Sequence, residues 1–163
     1  MKDAYEGDTL KDAQEDVVSA LLFRVQSRLY ALPVTHVVET MRPLPIERMV
    51  DASSAIRGLS LIRGMPTPVL SLAFLLEEDT DFTRFITVST VRGPVALTAS
   101  SVLGVHPIAA SSLHDLPPLL KDANSDAISA IGTADAELLT VLNAARLLPD
   151  AWWDSLHAAR TPS

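Results

Sequence analysis

The chain has 163 residues, a formal net charge of −7 at neutral pH and no cysteine. Lacking cysteine, it has no disulfide framework, iron–sulfur cluster or thiol nucleophile, and its negative charge argues against non-specific binding to nucleic acid. No apolar run approaches the roughly 18 residues of a membrane-spanning helix, and the N-terminus has no apolar core of the signal-peptide type. The sequence therefore predicts a cytoplasmic protein of one ordinary domain or two small ones.

Residues 1–16 differ in composition from the remainder of the chain, because six carboxylates face only two lysines there. Such a charged terminus predicts an acidic flexible tail. The alternative, that this tail attracts a basic partner, stays open.

From Val17 onward the sequence consists of short β-branched or aromatic segments separated by Gly, Pro or Ser, a pattern typical of a β-rich barrel or sandwich. Turns are predicted at Arg63–Pro66 and Arg92–Pro94, where Gly allows positive φ and Pro presets φ. Ten strands are predicted, near residues 20–27, 28–32, 36–42, 57–63, 66–71, 84–91, 94–98, 102–109, 127–133 and 137–142.

An internal repeat relates the two halves of this strand-rich region. Ile56–Leu76 aligns with Ile128–Leu148, and upstream Val37–Val38 aligns with Val102–Leu103, with a longer second-half loop taking up the difference in spacing. Repeat 1 covers about residues 17–76 and repeat 2 about residues 84–148. Each half is marginal in size for a separate domain, so we expect two small five-stranded barrels that share a core or exchange strands.

Residues 149–163 carry a helix signal. Pro149 is followed by Asp150, a favourable helix start, and Trp152, Leu156 and Ala159 fall on one helical face. We expect either a C-terminal helix that caps the barrels or a helix that docks on a partner through Trp152 or Trp153.

Catalytic motifs are missing from the sequence. The histidines His36, His106, His114 and His157 do not have metal-ligand spacing, and phosphate-binding glycine loops and nucleophile elbows do not occur. The sequence therefore predicts no catalytic residues, no metal and no cofactor. A β-barrel protein without converging polar groups is more typical of a binding module than of an enzyme.

The segment Ile56–Leu72, with its Arg-Gly turn and Pro-Val strand, resembles the central signature of the CheW family. Leu22–Pro33 resembles the opening hairpin of that family, Val37–Met41 its third strand and Ala130–Asn143 its closing strands. The ordered series covers about residues 21–148, which makes residues 17–148 a CheW-like domain.

This resemblance implies an all-β fold of two SH3-like five-stranded barrels with exchanged strands. It also implies a non-catalytic chemotaxis adaptor. The partners implied are a methyl-accepting chemoreceptor, through its cytoplasmic tip, and the regulatory domain of a CheA-type histidine kinase. Weak self-association is a further implication, whereas direct insertion into a membrane is not expected.

The resemblance also suggests functional residues. Glu39 and Arg63 match the third-strand acid and the turn arginine of the family, and we expect them to pair, with Arg63 partly buried. Such a pair either shapes the groove between the barrels or contacts a partner directly. Gly58 and Gly64 are expected at a structural junction. Candidates for the receptor-facing groove are Val37, Val88, Val102 and Val105, with core packing as the alternative for each.

The sequence departs from the family pattern at several usually charged positions. Ser71, Ala73, Ser100 and Gly104 stand where the family often has charged residues. These departures leave open a diverged scaffold of the same fold in another chemosensory-type pathway, such as pilus motility or development. A small-molecule-binding or enzymatic double barrel is disfavoured, because the sequence lacks a convergent polar site.

Overall fold

The structure is a computed structural model that describes residues 16–49, 56–72, 81–116 and 127–160. Most of the predicted acidic tail lies outside the described residues, as do Ala73 and part of the longer second-half loop. Besides three 3-10 helices of three residues each, ten β-strands and one α-helix make up the regular elements of the described part. They are β1 (Val17–Val25), β2 (Arg28–Pro33), β3 (Val37–Met41), β4 (Ile56–Ile62), β5 (Met65–Leu70), β6 (Arg84–Thr90), β7 (Gly93–Ala99), β8 (Ser101–Ala109), β9 (Ile128–Ala134), β10 (Glu137–Leu142) and α1 (Asp150–Arg160).

The strands form two mixed five-stranded sheets with the same internal order. Sheet A has the order β8-β1-β2-β10-β9, and sheet B has the order β3-β6-β7-β5-β4. If β1–β5 and β6–β10 are matched as repeats, each sheet contains the first two strands of one repeat and the last three strands of the other: β1 and β2 with β8–β10 in sheet A, and β6 and β7 with β3–β5 in sheet B. The predicted all-β fold with exchanged strands is therefore confirmed.

Isolated backbone bridges bring together the two ends of each sheet. In sheet B, Glu47, in the segment after edge strand β3, bridges to Leu59 on the opposite edge strand β4. In sheet A, His114, after edge strand β8, bridges to Ile131 on edge strand β9. Both sheets therefore curl until their edges meet, whereas continuous closure into barrels stays a prediction.

Three apolar clusters fill the fold. The shared core lies between the sheets and includes Phe23 and Leu32 from sheet A and Ile86, Val88 and Leu97 from sheet B. Successive strand residues point to opposite faces, so alternate residues form separate clusters within each sheet. The sheet-A core contains Ala20, Leu22, Leu29, Ala31, Ile108, Leu139 and Val141. The sheet-B core contains Ile62, Val69, Phe85 and Ala96.

Helix α1 packs on the shared core. Trp153 and Leu156 are buried in that core, whereas Trp152 is only partly buried against it. The helix therefore buries a face centred on Trp153 rather than the predicted face centred on Trp152, and Trp153 is not available as an anchor for a partner. Arg92, in the β6–β7 turn, fastens the helix through ion pairs to Asp150 and Asp154.

Among the described residues, none of the helices has the length and apolar character needed to cross a membrane.

Candidate functional site

Glu39 and Arg63 form a two-pronged ion pair. Arg63 donates a hydrogen bond from Nε to Glu39 Oε2 at 2.7 Å and another from its guanidinium to Oε1 at 3.2 Å. Such fork-to-fork geometry is the strongest that a carboxylate and a guanidinium adopt. Hydrogen bonding to Arg63 is the main reason why the pKa of Glu39 is lowered from its ordinary value.

The position of Arg63 follows from a tight hairpin turn. Arg63 and Gly64 both have positive φ, at 50° and 79°, as expected for the two central residues of a hairpin turn that follows the twist of its strands. The Arg63 side chain is 76% exposed and that of Glu39 is 25% exposed. The expectation of a partly buried arginine is therefore wrong, because the turn carries Arg63 out of the sheet into solvent.

The predicted groove valines occupy three different environments. Val37, on edge strand β3, and Val102, on edge strand β8, are both partly buried and pack against the shared core. Val105 is 56% exposed on β8. Val88 has no exposed surface, so the prediction that it faces a partner is wrong, and it belongs to the shared core instead. It lies beside Val37, its pairing partner across β3 and β6, and both side chains face the shared core.

Two exposed apolar residues beside these valines were missed by the sequence analysis. Val38 is 59% exposed and Leu103 is 43% exposed, and the internal repeat aligns them as equivalents, like Val37 and Val102. The repeat was the signal that would have found them, since it pairs apolar residues at consecutive positions of two strands. Edge strands β3 and β8 thus each carry one valine against the shared core and one apolar side chain towards solvent.

The two predicted junction glycines have distinct roles. A Cβ atom at Gly58 would lie 2.1 Å from the backbone oxygen of Glu47, so only glycine fits beside the bridge that joins Glu47 to Leu59. That close approach lies within sheet B and not between the two sheets. Gly64 has open space around it and is needed for its positive φ alone.

A second ion pair that the sequence analysis did not find links the two repeats. Arg24 on β1 donates hydrogen bonds to both carboxylate oxygens of Glu137 at the start of β10, at 2.5 and 3.0 Å. The pair crosses β2, which lies between those strands in sheet A. Hydrogen bonding to Arg24 lowers the pKa of Glu137. The contact joins residues far apart in the chain, so no local pattern announces it.

Within residues 16–49, 56–72, 81–116 and 127–160, no three His, Cys, Asp or Glu side chains are grouped to hold a metal ion. The ion pairs named so far join Glu39 to Arg63, Arg24 to Glu137, and Arg92 to Asp150 and Asp154. What the described residues offer are exposed apolar side chains on edge strands β3 and β8, with the Glu39–Arg63 pair next to those of β3, and such features are suited to contacting a protein segment.

The CheW-like domain family model matches residues 19–151. Among solved structures, the chain is similar to the scaffolding protein TtCheW from Thermoanaerobacter tengcongensis, with a TM-score of 0.71 and 21% sequence identity over 80% of this chain and 91% of that chain. No curated protein matches the chain. The structural likeness establishes the fold, and the family match covers both sheets. The chain therefore belongs to the CheW-like domain family and, at the level of that family, is a chemotaxis scaffold.

Proposed function

We propose that this protein is a non-catalytic cytoplasmic adaptor that links the cytoplasmic tip of a methyl-accepting chemoreceptor to the regulatory domain of a CheA-type histidine kinase. The observation that carries the proposal is the matched apolar character of the two edge strands. Val37 and Val102 reach the shared core from two different sheets, while Val38 and Leu103 remain exposed beside them. In a scaffold family, this is the surface best suited to a partner.

We assign an amphipathic helix of the receptor tip to this surface. Amphipathic helices bind proteins by placing apolar side chains in a groove between packed elements. Val88, fully buried beside Val37 on the neighbouring strand β6, anchors this part of β3 to the shared core. Glu39 follows Val38 in β3, and Arg63 lies in the turn after β4. Their ion pair therefore borders the apolar residues of β3, where it orients the polar face of a bound receptor helix.

The kinase side of the proposal uses one sheet of the CheW-like domain of residues 17–148. By family resemblance, the kinase regulatory domain has the same double-barrel fold. We therefore expect the end of one sheet of this protein to pack against the end of a sheet in the kinase domain. An apolar pair suited to this contact lies on the β4–β5 hairpin, where Leu61 faces Pro66 across the strands and both are exposed. Small interfaces of this kind bind at about micromolar Kd, and avidity in an array of weakly self-associating copies strengthens them.

A second candidate function is a diverged scaffold of another chemosensory-type pathway. Gly104 occupies the position in repeat 2 that Glu39 occupies in repeat 1, and Asp135 occupies the position of Arg63. The ion pair of sheet B is therefore not repeated in sheet A, which carries the pair of Arg24 and Glu137 instead. A partner that recognises charged groups on both sheets would therefore contact a different arrangement of charges on this protein than on one with the usual family pattern.

Titration calorimetry tests the proposal with the full chain. The regulatory domain of a CheA-type kinase and a soluble receptor-tip fragment, both from the same genome, are the two ligands. We expect saturable binding of each, with Val38→Asp and Leu103→Asp weakening receptor binding at least tenfold. Val91→Asp is the matched control, since Val91 is 96% exposed and lies in the β6–β7 turn rather than on β3 or β8.

Different results separate the alternatives. Binding of neither ligand would overturn the chemotaxis adaptor and favour the diverged scaffold. Receptor binding that Val91→Asp weakens as much as Val38→Asp does would overturn the assignment of the surface.

A further inference from the structure

Strand β3 contains a β-bulge at the point where it presents Glu39. Val37 pairs with Val88 on β6, but Glu39 pairs with Thr87, so Val38 is an extra residue in β3. A bulge of this kind places two residues opposite one and changes the direction of the side chains that follow it.

The bulge reverses the face of β3. In a regular strand, Val37, Glu39 and Met41 would all point to one side. In the structure, Val37 packs against the shared core, whereas Met41 packs against the sheet-B core on the opposite side. Glu39 therefore shares the face of Met41, and from that face it reaches Arg63 beyond edge strand β4.

A single buried hydroxyl satisfies the backbone at the bulge. Thr87 Oγ1 accepts a hydrogen bond from the backbone N–H of Glu39 at 3.1 Å and donates one to the backbone carbonyl of the same residue at 3.2 Å. Thr87 is only 4% exposed. One side chain thus binds both main-chain polar groups of the residue that carries the ion pair, and buried main-chain groups need such partners.

We propose that Thr87 is a positioning residue that holds the bulge in β3 and thereby directs Glu39 towards Arg63 and Val38 towards solvent. Its effect on partner binding rests on the proposed function, whereas its effect on the ion pair does not.

Loss of the hydroxyl would favour the regular register. Without the bulge, Val38 would pair with Thr87 and Glu39 with Ile86, whose side chain lies in the shared core. A one-residue slip moves every later side chain of a strand to the other face. Since a carboxylate is poorly tolerated in that core, β3 would either slip or detach locally, and the ion pair would be lost in both cases.

The test compares Thr87→Val, which has the same shape without the hydroxyl, with Thr87→Ser, which keeps the hydroxyl. The matched control is Thr98→Val, because Thr98 is equally buried at 2% exposure but pairs with Phe85 rather than contacting Glu39. The readout is the pKa of the Glu39 carboxyl in the intact chain, measured by NMR through its side-chain carbon shift against pH. A merely structural role would not change that value in a folded variant.

We expect the Glu39 pKa to rise towards its ordinary value in Thr87→Val, to stay lowered in Thr87→Ser and to stay lowered in Thr98→Val. A lowered pKa in folded Thr87→Val would overturn the proposal. If Thr87→Val does not fold, Thr87→Ala replaces it: a raised Glu39 pKa together with faster hydrogen–deuterium exchange of the Glu39 amide than in Thr87→Ser supports the proposal, and a Glu39 pKa that stays lowered contradicts it.

Receptor-tip binding is measured on the same variants. If the Glu39 pKa responds as expected while binding does not change, positioning by Thr87 stands and the proposed function of this surface fails. If binding falls about tenfold in Thr87→Val and is rescued in Thr87→Ser, both stand.

Discussion

Glu39 and Arg63 lie at opposite edges of one five-stranded sheet, and their side chains form an ion pair where those two edges approach each other. Glu39 is on edge strand β3, and Arg63 is in the turn that follows edge strand β4. The backbone bridge between Glu47 and Leu59 joins the same two edges. A side-chain contact and a backbone contact therefore both connect the two edges of sheet B. The ion pair is open to solvent, so its contribution is modest and screened by salt.

A double-mutant cycle tests whether the pair acts as a unit. Glu39→Gln and Arg63→Gln should each lower the urea midpoint slightly, and the double variant should lose no more than either single variant, because each change already removes the whole ion pair. The loss should shrink in 1 M salt. Arg24→Gln serves as the comparison in sheet A. Strictly additive losses would mean that the side chains do not interact in solution.

The two paired carboxylates also predict how stability changes with pH. The pKa values of Glu39 and Glu137 are lowered in the folded protein, mainly by hydrogen bonds from Arg63 and Arg24. A group whose pKa is lower when folded stabilises the fold above its unfolded pKa and loses that effect as the pH falls through its folded pKa. Stability should therefore fall as the pH drops below about 4.5, the ordinary value.

Urea unfolding between pH 6 and pH 3 measures this effect. The acid-dependent loss should be smaller in Glu39→Gln and smaller again when Glu137→Gln is added. An acid profile that is identical in the wild type and the double variant would show that other carboxyl groups control acid unfolding.

Gly58 and Gly64 allow a matched pair of substitutions. A methyl group at Gly58 would overlap backbone atoms of Glu47, and its φ is +146°. Gly58→Ala should cost about 3 kcal/mol or more, since steric overlap and backbone strain add. Gly64→Ala has open space and carries only the strain of its positive φ, about 1–2 kcal/mol. Equal losses in chemical denaturation would mean that the Glu47 segment moves aside freely.

Local patterns in the sequence were sufficient for the strands and for the helix. Alternating apolar residues and Gly-containing turns marked the hairpin of β4 and β5, and the repeat indicated two equivalent sheets. The small size of each half predicted that the halves share a core or exchange strands, and the family resemblance specified the exchange. These features depend on neighbours in the chain, so a sequence displays them directly.

The features that sequence reasoning missed depend on tertiary contacts. The exposure of Arg63 follows from the length and direction of a two-residue turn, and the burial of Val88 follows from packing between two sheets. The bulge at Val38 depends on a hydroxyl of Thr87 that is distant in sequence. A valine in a half-buried strand looks the same in sequence whether it supports a binding surface from within or forms that surface.

The docking of helix α1 gives the last prediction. Trp153 is 4% exposed in the shared core, its ring lies 3.6 Å from where a Cβ atom at Gly93 would stand, and the guanidinium carbon of Arg92 is 6.0 Å from the ring centroid. Trp153→Ala should therefore cost about 3–5 kcal/mol, as for other buried aromatic residues. Trp152→Ala is the neighbouring control and should cost clearly less, because Trp152 is only partly buried. Arg92→Ala should increase amide exchange along α1 by removing its ion pairs to Asp150 and Asp154 while leaving strand amides protected. If Trp153→Ala instead weakens partner binding without changing the free energy of unfolding, the helix is a docking element for a partner and not part of the core.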